Sequence, residues 1–219
     1  MLFRSFASIV SPAYTNVDFQ AVPNRCLVGS TCVAPAAGLP DAPAVINALT
    51  AETTPTVALL QLGYNDNPAN FAQEIDQVVT ALNARAVQRI VFVNLSTRRA
   101  SVDYATSNAA LAAATQRYPN VSVLDWNTYS SSPDRSRWFS DSVHLTNTGR
   151  VEFALFLRNQ LDELRRAGLI TVGAGGIIPM AVPMVQGERG EPVKALQVAL
   201  NAALGLKKKQ RLEIGRAHV

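Results

Sequence analysis

Three short runs along the chain are apolar without alternation: TVALLQL at 56–62, RIVFVNL at 89–95 and VSVLDW at 121–126. Unbroken Val, Ile and Leu over that length predicts strands covered on both faces, as in a parallel sheet, not half-exposed strands with in-out alternation. Between them the period changes. In PANFAQEIDQVVTALNARA, residues Phe71, Ile75, Val78, Val79 and Leu82 recur at helical spacing behind Pro68, which suits a helix start. YATSNAALAAATQRY predicts a second helix after the second strand. A third runs from Thr146, whose hydroxyl can cap it, through Leu164 to a natural stop at Gly168. Strands alternating with helices from residue 40 onward are the pattern of an α/β fold with crossover helices on a parallel sheet.

Beyond Gly168 the pattern stops. Residues 169–186, LITVGAGGIIPMAVPMVQ, are apolar but broken by three glycines and two prolines, so they read as a linker and not as a membrane span. The 219 residues are 48% hydrophobic and 16% charged, which suits one globular domain plus an appendage. The net charge of +4 invites a nucleic-acid reading until it is located. Lys207, Lys208, Lys209, Arg211 and Arg216 against Glu213 account for all of it, so the preceding residues balance and offer no footprint for DNA or RNA. The last seven residues, EIGRAHV, are what a widely used sequencing-library adapter encodes in one frame, and 206–219 are therefore expected to be a non-native tail. The beginning, MLFRSFASIV, places an arginine inside a short apolar run and fails as a signal sequence. Cys26 and Cys32 enclose LVGST. A close pair without metal-ligand companions reads as a small disulfide loop and suggests an exported protein; two unpaired buried thiols are the alternative.

Two stretches carry candidate chemistry. WFSDSVHLTNTG, at 138–149, holds His144 with Asp141 three positions before it. In a tight turn that spacing lets the carboxylate accept the imidazole Nδ1 proton and leaves Nε2 free as a general base. A polar cluster at a helix entry would use the same letters. LLQLGYND ends the first predicted strand in Gly63, Tyr64, Asn65 and Asp66. Ligands of parallel sheets gather at the carboxyl ends of strands, so Asn65 could offer an amide to an oxyanion; an Asx turn is the local alternative.

Taken together and in this order, Gly-x-Asn-Asp after a strand and Asp-x-x-His before the last helix resemble the third and fifth sequence blocks of the SGNH (GDSL-like) hydrolases. The resemblance covers residues 1–168. It implies a flavodoxin-like three-layer α/β/α sandwich and ester hydrolysis or acyl transfer, with His144 as base, Asp141 as its orienting acid and Asn65 in the oxyanion hole. Gly63 and Asp66 complete the block around Asn65. The family's other oxyanion donor, a glycine N–H after the second strand, corresponds to a segment in which VDFQAVPNRC looks like that strand and loop and Asn24 stands in place of the glycine. Asparagine tolerates the left-handed backbone that glycine supplies. Arg25 beside it could meet a carboxylate or simply face solvent.

The nucleophile is missing from this pattern. The family places it in a Gly-Asp-Ser turn after the first strand, and no Gly-Asp-Ser occurs in the chain. LFRSFASIVSP looks like the helix that follows that turn, with Leu2, Phe3, Phe6, Ile9 and Val10 mostly on one face, so the chain is expected to begin downstream of the serine, without the first strand. Ser5 and Ser8 fall within that helix, and Ser30 precedes TCVAPAAGLP, whose prolines forbid a strand-turn-helix elbow.

GERGEPVKALQVALNAALG resembles the opening of a peptidoglycan-binding repeat through Gly187, Gly190, Val193, Leu196, Gln197 and Leu200, so 187–205 are expected to begin a small wall-binding helical domain. An ordinary surface helix would use the same letters. The expected function is a serine-type esterase on small esters or acylated carbohydrate, O-acetyl groups of cell-wall polysaccharide included. Such a protein would be extracellular or wall-associated, with peptidoglycan as a partner and no metal or organic cofactor. This chain would itself be nearly inactive for want of the serine. The rival readings are an O-acyltransferase using the same residues and a noncatalytic wall-binding protein.

Overall fold

The three apolar runs become three strands: β1 (Val57–Leu60), β2 (Arg89–Val93) and β3 (Val121–Leu124). They pair in parallel in the order β1-β2-β3, with Leu60 beside Phe92 and Val93 beside Leu124. The computed structural model describes residues 9–10, 14, 17–18, 20, 22–33 and 38–171. Five α-helices accompany the strands among these residues: α1 (Ala42–Asn47), α2 (Phe71–Ala84), α3 (Tyr104–Arg117), α4 (Trp126–Ser130) and α5 (Asn147–Arg166).

Alternate strand residues face two separate cores, which makes the domain three layers deep. Ile90 and Phe92 of β2 point to a core shared with α1, α2 and α3, where Phe71, Ile75, Val78, Val79 and Leu82 of α2 are all buried as their spacing predicts. Burial of side chains of this size stabilises by about 2 kcal/mol each, so the apolar face of α2 is a principal source of the domain's stability. Val91 and Val93 point the other way. There they meet an aromatic cluster of Trp126, Trp138, Phe139, Phe153 and Phe156, together with Leu157 and Leu161 of α5. The fold is thus α/β with a parallel sheet between helical layers, as the apolar pattern anticipates.

Side chains set the element ends. Each strand is shorter than its apolar run because polar contacts take over beyond it: Asp125 accepts the Thr128 N–H and starts α4, ending β3 at Leu124. Thr146 caps α5 by accepting the Gly149 N–H at 3.1 Å. At the other end Gly168, at φ 71°, donates to the Arg165 carbonyl and Leu169 to the Leu164 carbonyl, the paired closure that a left-handed residue permits.

One expected strand is not seen among the described residues. Val17, Asp18, Gln20 and Val22 of VDFQAVPNRC belong to no ladder, the last three being exposed. Pro23 followed by Asn24 at φ 61° then turns the chain. Short α1 has too few turns to show a period; it is built by Asp41, which caps Ala44, with Pro43 in the first turn. The predicted helix at 2–12 apart from Ile9 and Val10, with Ser5 and Ser8, lies outside the described residues. So do the linker from 172 onward, the wall-binding-like segment 187–205 and the tail 206–219.

Candidate active site

The stretch from Trp138 to Gly149 folds as one unit. Trp138 and Phe139 are sunk in the aromatic cluster, Phe139 bridges Leu145 antiparallel, and Ser140 donates to the His144 carbonyl at 2.8 Å. The Trp138 carbonyl in turn accepts the Thr146 N–H at 2.8 Å, which ties this hairpin to the first turn of α5. Only glycine fits at 149, because a Cβ there would collide with the Trp138 carbonyl oxygen.

At the tip of that hairpin, Asp141 organises everything around itself. Its Oδ1 accepts the N–H groups of Val143 and His144, each at 2.7 Å, and its Oδ2 lies 2.7 Å from His144 Nδ1. The hydrogen bond from the imidazole, reinforced by the backbone N–H groups, holds the Asp141 carboxyl well below the usual carboxylate range. An ionised carboxylate can only accept, so the Nδ1 atom must carry the proton and Nε2 is left with its lone pair. Nε2 has no hydrogen-bond partner among the described residues, and the imidazole side chain is 74% exposed.

The second predicted group gathers around Asn65 and Asp66. Gly63, at φ 124°, turns the chain after β1; a Cβ there would press to 2.7 Å on the Phe71 ring. Asp66 is 1% exposed and reaches back to accept the Leu27 N–H at 2.8 Å, with Val28 N–H at 3.4 Å. Asp66 bridges Cys32 antiparallel, and Val33 donates to the Asn65 carbonyl at 2.8 Å. Cys26 and Cys32 are joined as a disulfide, so the loop they close is stitched to the end of β1. The Asn65 amide makes no hydrogen bond with any described residue, unlike the local Asx turn that was its alternative. Asn24 takes the left-handed conformation expected of it, at φ 61°. Arg25 is half-buried, donates through Nη1 to the Gln20 carbonyl and is pushed down by burial with Asp41 opposing, so it is not a plain solvent-facing charge.

Behind Asp66 stands a carboxyl that the sequence did not mark. Glu74 of α2 is 1% exposed, and neither of its oxygens, nor Asp66 Oδ2, has a hydrogen-bond partner among the described residues. Burial pushes the Glu74 carboxyl up to about 7; Thr31 offsets part of the rise and the nearby Asp66 adds to it. Burial likewise raises Asp66, with the Leu27 and Val28 N–H groups opposing. Because Asp66 collects two backbone donors and Glu74 none, the charge rests on Asp66 and the proton on Glu74.

A third loop, after β2, joins the two groups. Ser96 N–H donates to the Tyr64 hydroxyl at 2.8 Å, and Arg99 Nε donates to Ser142 Oγ at 3.3 Å, inside the His144 turn. All three loops leave the carboxyl ends of the parallel strands or follow them, the edge where open α/β sheets place their sites. Arg99 and Ser96 went unmarked in the sequence, and Tyr64 entered only as a member of LLQLGYND with no role; the available signal was their place just after an apolar strand. Ser30 sits in a single 3-10 turn, Gly29–Thr31, with no strand before it and therefore no nucleophile elbow. Among the described residues no group of three His, Cys, Asp or Glu side chains could hold a metal ion, and no helix is long and apolar enough to cross a membrane. No protein-family model matches the chain, and no curated protein matches it significantly.

Proposed function

We propose that this domain supplies the base, acid and oxyanion side of an SGNH-type serine esterase, acting on carboxylic esters such as O-acetyl groups of carbohydrate. The observation that carries the reading is the Asp141–His144 pair, in which Nδ1 is held by an ionised carboxylate and Nε2, on an exposed ring, has no partner among the described residues. In that reaction Nε2 takes the hydroxyl proton of a serine as it attacks the ester carbonyl. The imidazolium that forms is stabilised by Asp141, 2.7 Å away. The tetrahedral oxyanion is met by the Asn65 amide and by the backbone N–H at Asn24. Collapse returns the proton from Nε2 to the leaving alcohol, and water repeats the sequence to release the acid. The serine itself is assigned to a Gly-Asp-Ser turn that this chain does not contain.

The test is to express the coding sequence with its upstream region included and treat the product with a fluorophosphonate probe. One serine should label, labelling should disappear in His144→Ala, and 4-nitrophenyl acetate should be turned over only by the labelled form. Absence of any labelled serine refutes the esterase reading. Transfer of the acyl group to a sugar in preference to water would make the protein an acyltransferase on the same residues.

A further inference from the structure

Two consecutive arginines leave β2, and their surroundings differ. Arg98 is packed inward: Nη2 donates to the Ser130 and Ser132 carbonyls at 2.6 and 2.9 Å, the guanidinium lies over the Phe139 ring at 5.0 Å, and Nε is buried. It braces the base of the His144 hairpin. Arg99 makes one described hydrogen bond, Nε to Ser142 Oγ at 3.3 Å, and both its Nη atoms are without a partner among the described residues. No carboxylate pairs with it either, since the ion pairs among the described residues are Arg117 with Asp76, His144 with Asp141 and Arg158 with Asp162. The side chain is nevertheless half-buried. Its charge is felt at Tyr64, the neighbour of Asn65, where it opposes the rise that burial imposes on the phenol.

A half-buried guanidinium without an anion has an unused planar fork of N–H donors, the geometry that matches a carboxylate in two parallel hydrogen bonds. We propose that Arg99 is a substrate-recognition residue, and that the ester this site takes carries a carboxylate which docks on Arg99 while its acyl carbonyl lies between His144 and Asn65. The proposal rests on the esterase reading and names its substrate class: an acylated acidic sugar or another carboxylated ester. A carboxylate is favoured over a phosphate because the adjacent cation among the described residues, Arg98, is held away from Arg99: its Nη2 is turned to two carbonyls, its Nε is buried and its face lies against Phe139, so a phosphate dianion would meet half the charge it needs.

The experiment uses the chain as it stands and needs no turnover. Labelled protein is titrated at pH 6 with monomethyl succinate, with its neutral counterpart methyl butyrate and with methyl phosphate, following the Arg99 Nε–H and His144 ring signals by NMR. Monomethyl succinate should shift both sets saturably, methyl butyrate should bind about tenfold or more weakly, and Arg99→Gln should lose that preference while the His144 ring signals of the free protein stay in place. Arg99→Lys should recover only part of it, since an ammonium lacks the fork. Equal binding of the neutral ester, an unchanged preference in Arg99→Gln, or Arg99 shifts without His144 shifts would overturn the proposal. Tighter binding of methyl phosphate would overturn the carboxylate assignment. A negative fluorophosphonate result with positive titrations would sink the esterase reading alone.

Discussion

Replacing Glu74 by glutamine tests the buried pair beneath the Asn65 loop. The Glu74 carboxyl in the folded protein titrates at about 7, against an ordinary value of 4.5 that the unfolded chain should keep. The folded state therefore holds this proton more tightly than the unfolded state. The contribution of Glu74 to stability is greatest below pH 4.5, declines as pH rises towards 7, and levels off above it. At ~1.4 kcal/mol for each tenfold difference in proton affinity, the decline amounts to about 3 kcal/mol. A domain of this size has a total stability of about 5–15 kcal/mol, so the effect is large enough to see plainly. The glutamine side chain cannot ionise, keeps the shape and removes the slope. Urea unfolding at pH 5, 6, 7 and 8, read by the buried tryptophans Trp126 and Trp138 in the opposite core, should show the wild-type midpoint falling across the series. The Glu74→Gln midpoint should change far less and overtake the wild type at pH 8. Equal pH slopes in the two proteins, or a wild type that gains stability from pH 5 to 8, would refute the assignment of the proton to Glu74.

Other substitutions probe the remaining parts. In the proposed serine-bearing form, Asp141→Asn should leave the hairpin folded yet lower kcat by ~10⁴, because the imidazole loses the partner that fixes its tautomer; steady-state kinetics on 4-nitrophenyl acetate would decide it. Asn65→Ala in the same background should cost ~10² to 10³ in kcat with little change in melting temperature, since its amide bonds no described residue. Gly149→Ala should destabilise the domain towards the upper end of the ~0.5–3 kcal/mol range for single substitutions, because its Cβ would collide with the Trp138 carbonyl oxygen. A thermal melt indistinguishable from wild type would show that the hairpin can shift to make room.

The features legible in the amino-acid letters are local ones. Unbroken apolar runs imply strands buried on both faces, and in β2 Ile90 and Phe92 do meet one core while Val91 and Val93 meet the other. Helical spacing in α2 picked out its buried apolar residues, and Thr146 and Gly168 marked the ends of α5 because a cap involves only neighbours. Asp141 and His144 were legible for the same reason: both partners sit in one turn, and three positions of separation nearly dictate the contact. The described residues of VDFQAVPNRC join no ladder and show the limit of pattern, since a strand needs a neighbour to pair with and that neighbour is not written in its own letters. Long-range contacts came only with the assembled fold. Asp66 accepts from Leu27, 39 residues before it, and Arg99 donates to Ser142, 43 residues after it. Glu74 lies on a helix that reads as amphipathic, yet the chain folds it against Asp66, where burial changes its charge state. Contacts across such distances depend on how strands stack and loops return, so polar residues acquire their partners, their burial and their protonation only once the sheet is assembled.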